Sequence, residues 1–442
     1  MSIGKQIAQT WNDFWYAPVS PVPMALFRIM FGLLVLQSLF HFGSDFSVCY
    51  GVHSLFPLES IANNMWNFEP HFDLLQLLPP YDWCRALYFG TIVVSAFMFT
   101  FGLGTRFAAT FLFFGLCSLH THCPFNLNTG DRYELIVSFL MPFSNAGDAL
   151  SLDSLIKHRM DDWRNTGFEP EKKPAWVQRM LQVELALAYF NLSYSKLMSE
   201  PWRDGSAVYY AVRITDFRRF APAFIFNSPI VCKLLTWWTL GVEMSLCSLI
   251  WIKRLRYWVL LAGVLLHFGI DLTMNIPVFQ GLFIATYILF VDPEDLRRVM
   301  ELINTRIEKV FGPAAPLSFD GTCPFCVRAV GLLQRLDIFR RVKPLDYHDE
   351  KNLAQLNGID MKRAEHEMLV RTPGGWLGGF FAVRWMAWRL PLLWIKAPLL
   401  YLPGATVFGA QAYNWVATRR HSLLGPACSH TLCKLDGGVD RV

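Results

Sequence analysis

Long apolar stretches follow one another along the chain as far as Val291, separated by shorter polar segments. A helix needs about 20 apolar residues to cross the hydrocarbon core of a bilayer, and on this measure we predict about eight spans. The fourth contains Glu134, Pro142 and Asp148, so we expect it to be short, tilted or buried among other helices. The predicted spans are Met24–Phe42, Cys84–Leu103, Phe107–His122, Tyr133–Ala149, Met180–Met198, Ile230–Ile252, Tyr257–Met274 and Val278–Val291.

The pattern changes after Asp292 to that of a soluble domain. A charged helix is predicted from Pro293 to Lys309, and a Gly-Pro-Ala-Ala-Pro linker follows it. The later apolar run from Trp385 to Trp415 is interrupted by charged residues and prolines, which predicts short helices on a sheet or on the membrane surface. The chain is thus predicted to be a polytopic α-helical membrane bundle followed by a small α/β domain. The predicted parts are 1–295 for the bundle, 296–314 for the connecting helix and linker, and 315–442 for the small domain.

Composition agrees with this division. The chain is 53% hydrophobic, 15% aromatic and only 17% charged, which excludes an ordinary soluble protein and predicts the lipid bilayer as its surroundings. The net charge is +5, but Lys and Arg cluster beside apolar runs, so we expect no nucleic-acid partner. The ten cysteines lack the dense spacing of a disulfide scaffold.

Charged loops predict the orientation of the bundle. The loops after the second, fourth and sixth spans are basic, whereas the first loop is acidic, so both termini are expected in the cytoplasm, with the chain in a bacterial inner membrane. The loop Ser199–Pro229 departs from this rule. It carries four arginines on the predicted outer side, and we expect an anionic ligand to explain them.

A CxxC motif, Cys323-Pro324-Phe325-Cys326, lies between a predicted strand, Ala315–Phe319, and a predicted helix, Val327–Leu336. Because a helix N-terminus stabilises a thiolate, Cys323 is the expected nucleophile. A redox pair is favoured over a zinc site, which would need further ligands. Zinc stays open as an alternative. Its further ligands would be Cys428, His430 and Cys433.

The segment Phe319–Cys326 resembles the Asp-x-x-Cys-x-x-Cys signature of the DCC family of thiol-disulfide oxidoreductases. Trp376–Gly379 with Ala382, and Ala417–Arg420 through Gly425 to Cys428, continue the resemblance. It implies a thioredoxin-like fold in which Cys323 attacks a disulfide of a cytoplasmic partner protein and Cys326 resolves the mixed disulfide. Asp320 is then either a base for a cysteine or a turn residue that accepts backbone amides.

Ionisable residues inside predicted spans are functional candidates because they are costly in lipid. Arg28 and Lys196 lie near helix ends, where snorkelling to the surface is the simplest explanation, but position alone does not decide the role of Lys196. His267 and Asp271 are four residues apart, which predicts a hydrogen bond within one helix. The full set is Arg28, Glu184, Lys196, Glu243, His267 and Asp271.

The segment Tyr189–Leu197, followed by Trp202, resembles the transmembrane region shared by vitamin K-dependent γ-carboxylases and bacterial HTTM proteins. The resemblance implies that Lys196 is a base, and that a quinone or a lipid binds near it. Glu243, His267 and Asp271 are the further candidates for binding this cofactor. Nothing after Asp292 resembles the carboxylases' luminal region, which argues against γ-glutamyl carboxylation.

The segment His120-Thr121-His122-Cys123 offers soft metal ligands, but three ligands in four residues are cramped, so no metal site is predicted. Two functions remain. The first is an integral membrane thiol-disulfide oxidoreductase whose bundle binds a quinone or lipid. The alternative is a non-enzymatic membrane module for export, immunity or scaffolding, with the CxxC domain as a redox sensor or zinc site.

Overall fold

The computed structural model describes residues 3–54, 72–123, 127–157 and 171–420, apart from residues 338, 340, 391, 392, 395 and 396. The described chain divides into two compact units, one up to Leu296 and one from Arg297 onward. Gly425 and Cys428, which belong to the family resemblance, and the candidate zinc ligands His430 and Cys433 lie outside the described residues.

The first unit is helical apart from a short antiparallel pair of strands, β1 (Pro18–Val19) and β2 (Lys173–Pro174). Turns of 3-10 helix lie at Leu74–Leu77, Met141–Phe143, Leu249–Trp251 and Ile288–Phe290. Its α-helices are α1 (Ile3–Tyr16), α2 (Val22–Ser44), α3 (Phe46–Cys49), α4 (Asp82–Phe101), α5 (Thr105–His122), α6 (Thr129–Leu140), α7 (Leu152–Lys157), α8 (Trp176–Met198), α9 (Glu200–Asp204), α10 (Ala207–Ala211), α11 (Ala223–Phe226), α12 (Pro229–Ser248), α13 (Lys253–Thr273) and α14 (Phe279–Tyr287).

Four helices in the described chain are long and apolar enough to cross a membrane: α2, α4, α12 with the 3-10 turn that extends it, and α13. The segment Phe279–Phe290 is a shorter apolar helix. Helix α8 has 23 residues, but Arg179, Glu184 and Lys196 make it more polar. The structure therefore supports a membrane protein with four candidate spanning helices, and the predicted number of about eight is not confirmed.

The fourth predicted span, Tyr133–Ala149, is the clearest difference. Helix α6 has 12 residues and gives way at Leu140 to a 3-10 turn that contains Pro142. Twelve residues reach about 18 Å, well short of a hydrocarbon core of about 30 Å. The segment is short, as its charges and proline suggested, and it does not form a spanning helix.

Arg28 does not snorkel, so that prediction is wrong. Its side chain is fully buried, and it donates hydrogen bonds to the backbone oxygens of Ala146 at 2.6 Å, Ala149 at 3.4 Å and Leu150 at 2.6 Å. A buried guanidinium needs such acceptors because an unpaired buried charge is costly. Arg28 therefore fastens α2 to the segment after α6.

The core of the first unit follows helical spacing along α2. Met24, Phe27, Phe31, Val35 and Leu39 recur every three or four residues and are buried together. Opposite them lie Ile92, Ala96 and Phe99 of α4. These two helices approach closely at Gly32, where an added Cβ would lie 2.3 Å from Thr100 Oγ1.

The second unit contains a four-stranded sheet in the order β4-β3-β5-β6. Strand β3 (Ala315–Phe319) is parallel to β4 (Val342–Asp346) and antiparallel to β5 (Leu369–Thr372), which forms a hairpin with β6 (Gly375–Gly378). The predicted strand at Ala315–Phe319 is confirmed. The helices, the first of which begins in the first unit, are α15 (Pro293–Phe311), α16 (Pro324–Leu336), α17 (Glu350–Leu353), α18 (Met361–Ala364), α19 (Gly379–Ala387) and α20 (Ala405–Arg419).

The apolar run between Trp385 and Trp415 forms short helices, as predicted: the end of α19, a 3-10 turn at Ala397–Tyr401, and most of α20. None of the four candidate spanning helices of the described chain lies there. The core of this unit is built from β3, α16 and α19, including Leu317, Val330 and Met386.

Candidate functional site

The two cysteines of the CxxC motif lie where β3 gives way to α16. Cys323 is the N-cap residue, with φ −87° and ψ 113°, and Pro324 occupies the first helical turn, where its fixed φ suits the helix. Cys326 follows in the same turn and contacts Cys323 by a side-chain hydrogen bond. Both are free thiols, so the local sequence brings two thiols together at a helix N-terminus.

Both thiols are covered by the apolar core of the second unit. Cys323 is 0% and Cys326 4% exposed. Burial raises the pKa of Cys326 to about 12, and the hydrogen bond and nearby charge of Cys323 act in the same direction. Cys326 is therefore a thiol at neutral pH that can donate a hydrogen bond to the sulfur of Cys323. This arrangement suits Cys323 as the attacking sulfur and Cys326 as the second.

Asp320 closes the turn that leads to the cysteines. Its Oδ1 accepts hydrogen bonds from Thr322 N at 2.9 Å and Thr322 Oγ1 at 2.6 Å. Burial on its own would raise the pKa of Asp320, but these bonds and the charges of His348 and Arg420 outweigh it and lower the pKa. These contacts agree with one of the two roles left open for Asp320, that of a turn residue whose carboxylate accepts backbone amides. The role as a base stays a prediction.

Two further residues complete the surroundings of Asp320. His348 Nδ1 lies 3.7 Å from Asp320 Oδ1, and Arg420 Nη2 lies 4.0 Å from Asp320 Oδ2. Arg420 is also held by the backbone oxygen of Glu365. The family-like segment Ala417–Arg420 pointed to Arg420, whereas His348 had no signal because its approach depends on β3 pairing with β4.

The zinc alternative for the CxxC finds no further ligands in the described chain. Among those residues, no cluster of potential metal ligands includes Cys323 and Cys326. The three candidates of the sequence analysis, Cys428, His430 and Cys433, lie outside the described residues, so the zinc reading stays a prediction.

In the first unit, Lys196 forms an ion pair with Glu243. Lys196 Nζ at the end of α8 contacts Glu243 Oε1 of α12 and lies 4.7 Å from the ring centre of Trp202. The side chains are 21% and 6% exposed. Lys196 therefore does not simply reach for solvent, as snorkelling would require, but is held between a carboxylate and an indole.

About two helical turns before Lys196, a chain of hydrogen bonds joins three helices. Tyr189 OH of α8 lies 2.6 Å from His267 Nε2 of α13 and 2.5 Å from Tyr287 OH of α14. His267 Nδ1 contacts Gln280 Oε1 of α14. The imidazole is stacked on Phe283, with ring centres 5.4 Å apart. Both ring nitrogens of His267 are thus occupied, and the predicted bond to Asp271 is not formed.

The ion pair and this hydrogen-bond chain belong to one region. Tyr189 and Lys196 are seven residues apart on α8, which places them on one face about 10 Å apart along the axis. The charge of Lys196 lies within electrostatic range of His267, and that of Glu243 within range of Tyr189 and Tyr287. We call Tyr189, Lys196, Glu243, His267 and Tyr287 the bundle polar site.

Asp271 lies apart from the bundle polar site. Its carboxylate is half-exposed and pairs with Arg219 at 3.4 Å. Arg213, in the same basic loop, lies over the ring of Tyr209 at 3.6 Å and donates to the backbone oxygen of Phe226. These partners within the protein account for two of the four loop arginines without the anionic ligand that the sequence suggested.

One cavity of the described chain lies elsewhere in the first unit. It has a volume of about 630 Å³ and is lined by residues such as Arg106, Asp148, Asp153 and Lys173. None of the lining residues belongs to the bundle polar site.

Comparison with known proteins bears on both units. The model of the HTTM domain family matches residues 16–294, and that of the DCC1-like thiol-disulfide oxidoreductases matches residues 317–426. An uncharacterized protein of Bacillus subtilis (strain 168), YitO, is 27% identical over 123 residues, which are 26% of this chain and 39% of that protein. The chain thus matches well under two thirds of that relative's length. No solved structure matches.

Proposed function

The chain belongs to the HTTM domain family and carries a DCC1-like thiol-disulfide oxidoreductase domain, and from this we propose that it is a membrane-bound enzyme that exchanges thiols and disulfides with a cytoplasmic partner protein. The observation that carries the proposal is the pair of contacting free thiols at the start of α16. The sheet order, with β3 and β4 parallel on either side of α16 in sequence and a hairpin of β5 and β6, supports a thioredoxin-like fold.

The reaction divides into two exchanges. The Cys323 thiolate attacks one sulfur of the partner's disulfide, forming a mixed disulfide and releasing a partner thiolate. The sulfur of Cys326, once deprotonated, then attacks Cys323 Sγ and releases the second partner thiolate. The partner disulfide gains two electrons, and Cys323 and Cys326 are left as a disulfide. Since both thiols are buried, partner binding must uncover Cys323 before the first attack.

The test uses full-length protein in detergent with oxidised glutathione as the probe. Cys326→Ser is expected to accumulate glutathione on Cys323, because the resolving sulfur is absent. Cys323→Ser is expected to accumulate none, and Cys84→Ser, at a half-buried cysteine of the first unit, serves as the matched control. Exchange by the Cys323→Ser/Cys326→Ser double variant at the wild-type rate would refute the proposal.

The same experiment separates the alternative functions. An enzyme reduces many equivalents of glutathione disulfide when thiols are resupplied, whereas a redox sensor is oxidised once per chain. A zinc site predicts stoichiometric zinc in anaerobically purified protein that Cys323→Ser removes.

For the membrane unit we propose that a quinone or a lipid head group binds at the bundle polar site, with Lys196 as the base. Lys196, Glu243 and His267 supply a cation, a carboxylate and an imidazole, and Trp202 supplies an aromatic face. Asp271 would lie at the rim of this site, with Arg219. We propose that the two units act on separate ligands.

Binding is measured with decylubiquinone, by quenching of tryptophan fluorescence. Lys196→Met is expected to weaken binding at least about tenfold, the loss of one charged contact. Lys233→Met is the matched control, since Lys233 also lies over an indole, that of Trp237, at 4.9 Å. Equal affinities of wild type and Lys196→Met would remove the quinone proposal. A phosphatidylglycerol titration distinguishes the lipid.

We further propose that both termini face the cytoplasm of a bacterial inner membrane. Basic loops support this orientation. A C-terminal green fluorescent protein fusion should fluoresce, and a C-terminal alkaline phosphatase fusion should be inactive. The reverse pattern would contradict the orientation, and fusions in successive loops would count the spans.

A further inference from the structure

Three buried ligand-type side chains meet where α5 ends and α6 begins. His120 lies in the last turn of α5, and Asp131 and Glu134 lie three residues apart on one face of α6. One ligand atom from each lies within 4.8 Å of the others. The side chains are 5%, 5% and 0% exposed. The sequence pointed to His120 but grouped it with His122 and Cys123, and it missed both carboxylates.

Two atoms of this cluster are buried without a hydrogen-bond partner. His120 Nε2 and Glu134 Oε2 lie 3.8 Å apart, too far for a hydrogen bond, and neither has another partner in the described chain. Leaving such atoms unsatisfied is costly, and a bound ion would remove that cost. Two ligand atoms on one tetrahedral zinc ion lie about 3.4 Å apart, given bonds of about 2.1 Å. The observed separation is close to that spacing.

Neighbouring groups orient the ligands. Ser38 Oγ donates to Glu134 Oε1 at 3.0 Å, and the backbone N–H of Asn128 donates to Asp131 Oδ2 at 2.5 Å. The ring of Phe42 packs edge-on against His120 with centres 5.8 Å apart. Hydrogen bonds that fix carboxylates in this way are typical of the surroundings of metal ligands.

We propose that His120, Asp131 and Glu134 bind a divalent transition-metal ion, Zn²⁺ by the chemistry of the donors. An imidazole nitrogen and two carboxylate oxygens are ligands that zinc accepts, and two carboxylates balance its charge. Three protein ligands leave one tetrahedral position for water or another molecule. The site involves neither the cysteines nor the bundle polar site, so it is independent of the proposed function.

The neighbouring His122 does not belong to the cluster. Its Nδ1 lies 2.8 Å from Asp73 Oδ2, and Ser118 Oγ donates to the same carboxylate at 2.9 Å. His122 is as buried as His120, with 1% exposure. It therefore provides a matched control two residues from the proposed ligand.

The test measures zinc in full-length protein carrying Cys323→Ser/Cys326→Ser, which removes the other candidate zinc site. The protein is stripped with a chelator and titrated with ZnCl₂ against a competing dye. We expect about one zinc per chain. His120→Ala and Glu134→Gln should weaken binding at least about tenfold, and Ser38→Ala, which keeps all three ligands, by about 10-fold to 100-fold. Zinc should raise the thermal midpoint of the parent protein but not that of Glu134→Gln.

His122→Gln is expected to bind zinc like the parent. If His122→Gln abolished binding and His120→Ala did not, the ligands would be those of the short sequence motif and the proposal would be wrong. Binding by the parent no tighter than by a His120→Ala/Glu134→Gln double variant would also overturn it. Should His120→Ala fail to fold, Ser38→Ala decides: unchanged zinc affinity counts against the site.

Discussion

Breaking the ion pair between Lys196 and Glu243 should have very different effects depending on which partner is removed. Lys196→Met leaves the Glu243 carboxylate alone, and this side chain is only 6% exposed and has an oxygen, Oε2, that lacks a hydrogen-bond partner. Glu243→Gln leaves the Lys196 ammonium without its carboxylate partner, but this side chain is 21% exposed and still lies over the ring of Trp202. The structure therefore predicts that losing the lysine is the more damaging change.

Magnitudes follow from these exposures. Removing one partner of a buried pair costs about 3–5 kcal/mol, and we expect Lys196→Met to lie in that range. The ammonium in Glu243→Gln is partly exposed and keeps a cation–π contact of about 0.5–1 kcal/mol. Glu243→Gln should therefore lower the free energy of unfolding by about 1–2 kcal/mol, which lies between the values for breaking a surface ion pair and a buried one. The double variant places two neutral groups together and should lie within about 1 kcal/mol of wild type.

The assay is reversible unfolding of the full-length protein in mixed detergent micelles, giving the free energy of unfolding of wild type, both single variants and the double variant. Lys233→Met controls for loss of a lysine above an indole. The reasoning would be refuted if Glu243→Gln cost as much as Lys196→Met. It would also fail if the double variant cost the sum of the single variants, because the cycle would then show no coupling.

Three further predictions concern single sites. Because burial raises the pKa of the Cys326 thiol, resolution of the Cys323–glutathione disulfide should accelerate steadily as pH rises from 7 to 9. A flat rate would contradict the role of Cys326 as the resolving sulfur. Asp320→Ala removes the acceptor of both Thr322 hydrogen bonds and should destabilise the folded protein by about 1–2 kcal/mol. Asp320→Asn keeps an acceptor oxygen but cannot act as a base. If Asp320→Asn exchanged disulfides at the wild-type rate, the role of Asp320 as a base would be excluded. The pKa of Asp320 is lower in the folded protein than in the unfolded chain, where it is about 3.9. The Asp320 carboxylate therefore stabilises the folded protein at pH values above about 3.9. The difference in unfolding free energy between wild type and Asp320→Asn should disappear as pH falls through the folded pKa. Gly102 caps the C-terminus of α4, and Gly102→Ala should lower the thermal midpoint, because φ is +71° and the new Cβ would lie 2.4 Å from Ser151 Cβ. Gly90→Ala, in open space within α4, is the control and should be neutral or stabilising by about 0.5–1 kcal/mol.

Sequence reasoning succeeded where structure depends on local pattern. The predicted spans Cys84–Leu103, Ile230–Ile252 and Tyr257–Met274 lie within a few residues of the helices Asp82–Phe101, Pro229–Trp251 and Lys253–Thr273. Length and apolar character decide such helices, and both are visible in the chain itself. Strand β3 and the turn to α16 were also predictable from the local sequence around the CxxC motif.

It failed where a side chain finds a partner far along the chain. Arg28 bonds to a carbonyl 118 residues away, and Tyr189 joins His267 across 78 residues. A position near the end of a helix suggested that Arg28 reaches the surface, and a spacing of four residues suggested that His267 bonds to Asp271. Both suggestions were reasonable for an isolated helix, but packing between helices supplied better partners, and no periodicity in the sequence reports that packing.

Charge balance inside the first unit separates its polar groups by role. Lys196 faces Glu243, the imidazole of His122 faces the Asp73 carboxyl group, and the guanidinium of Arg28 faces backbone carbonyls, so each of these groups has a counterpart. The group of His120, Asp131 and Glu134 differs, because it brings two carboxyl groups together with one imidazole. Two facing atoms of this group, His120 Nε2 and Glu134 Oε2, both lack a hydrogen-bond partner in the described chain. Two carboxyl groups have only one potentially positive partner within this group, and a bound cation would balance the second. This imbalance supports the metal site more strongly than the residue types alone.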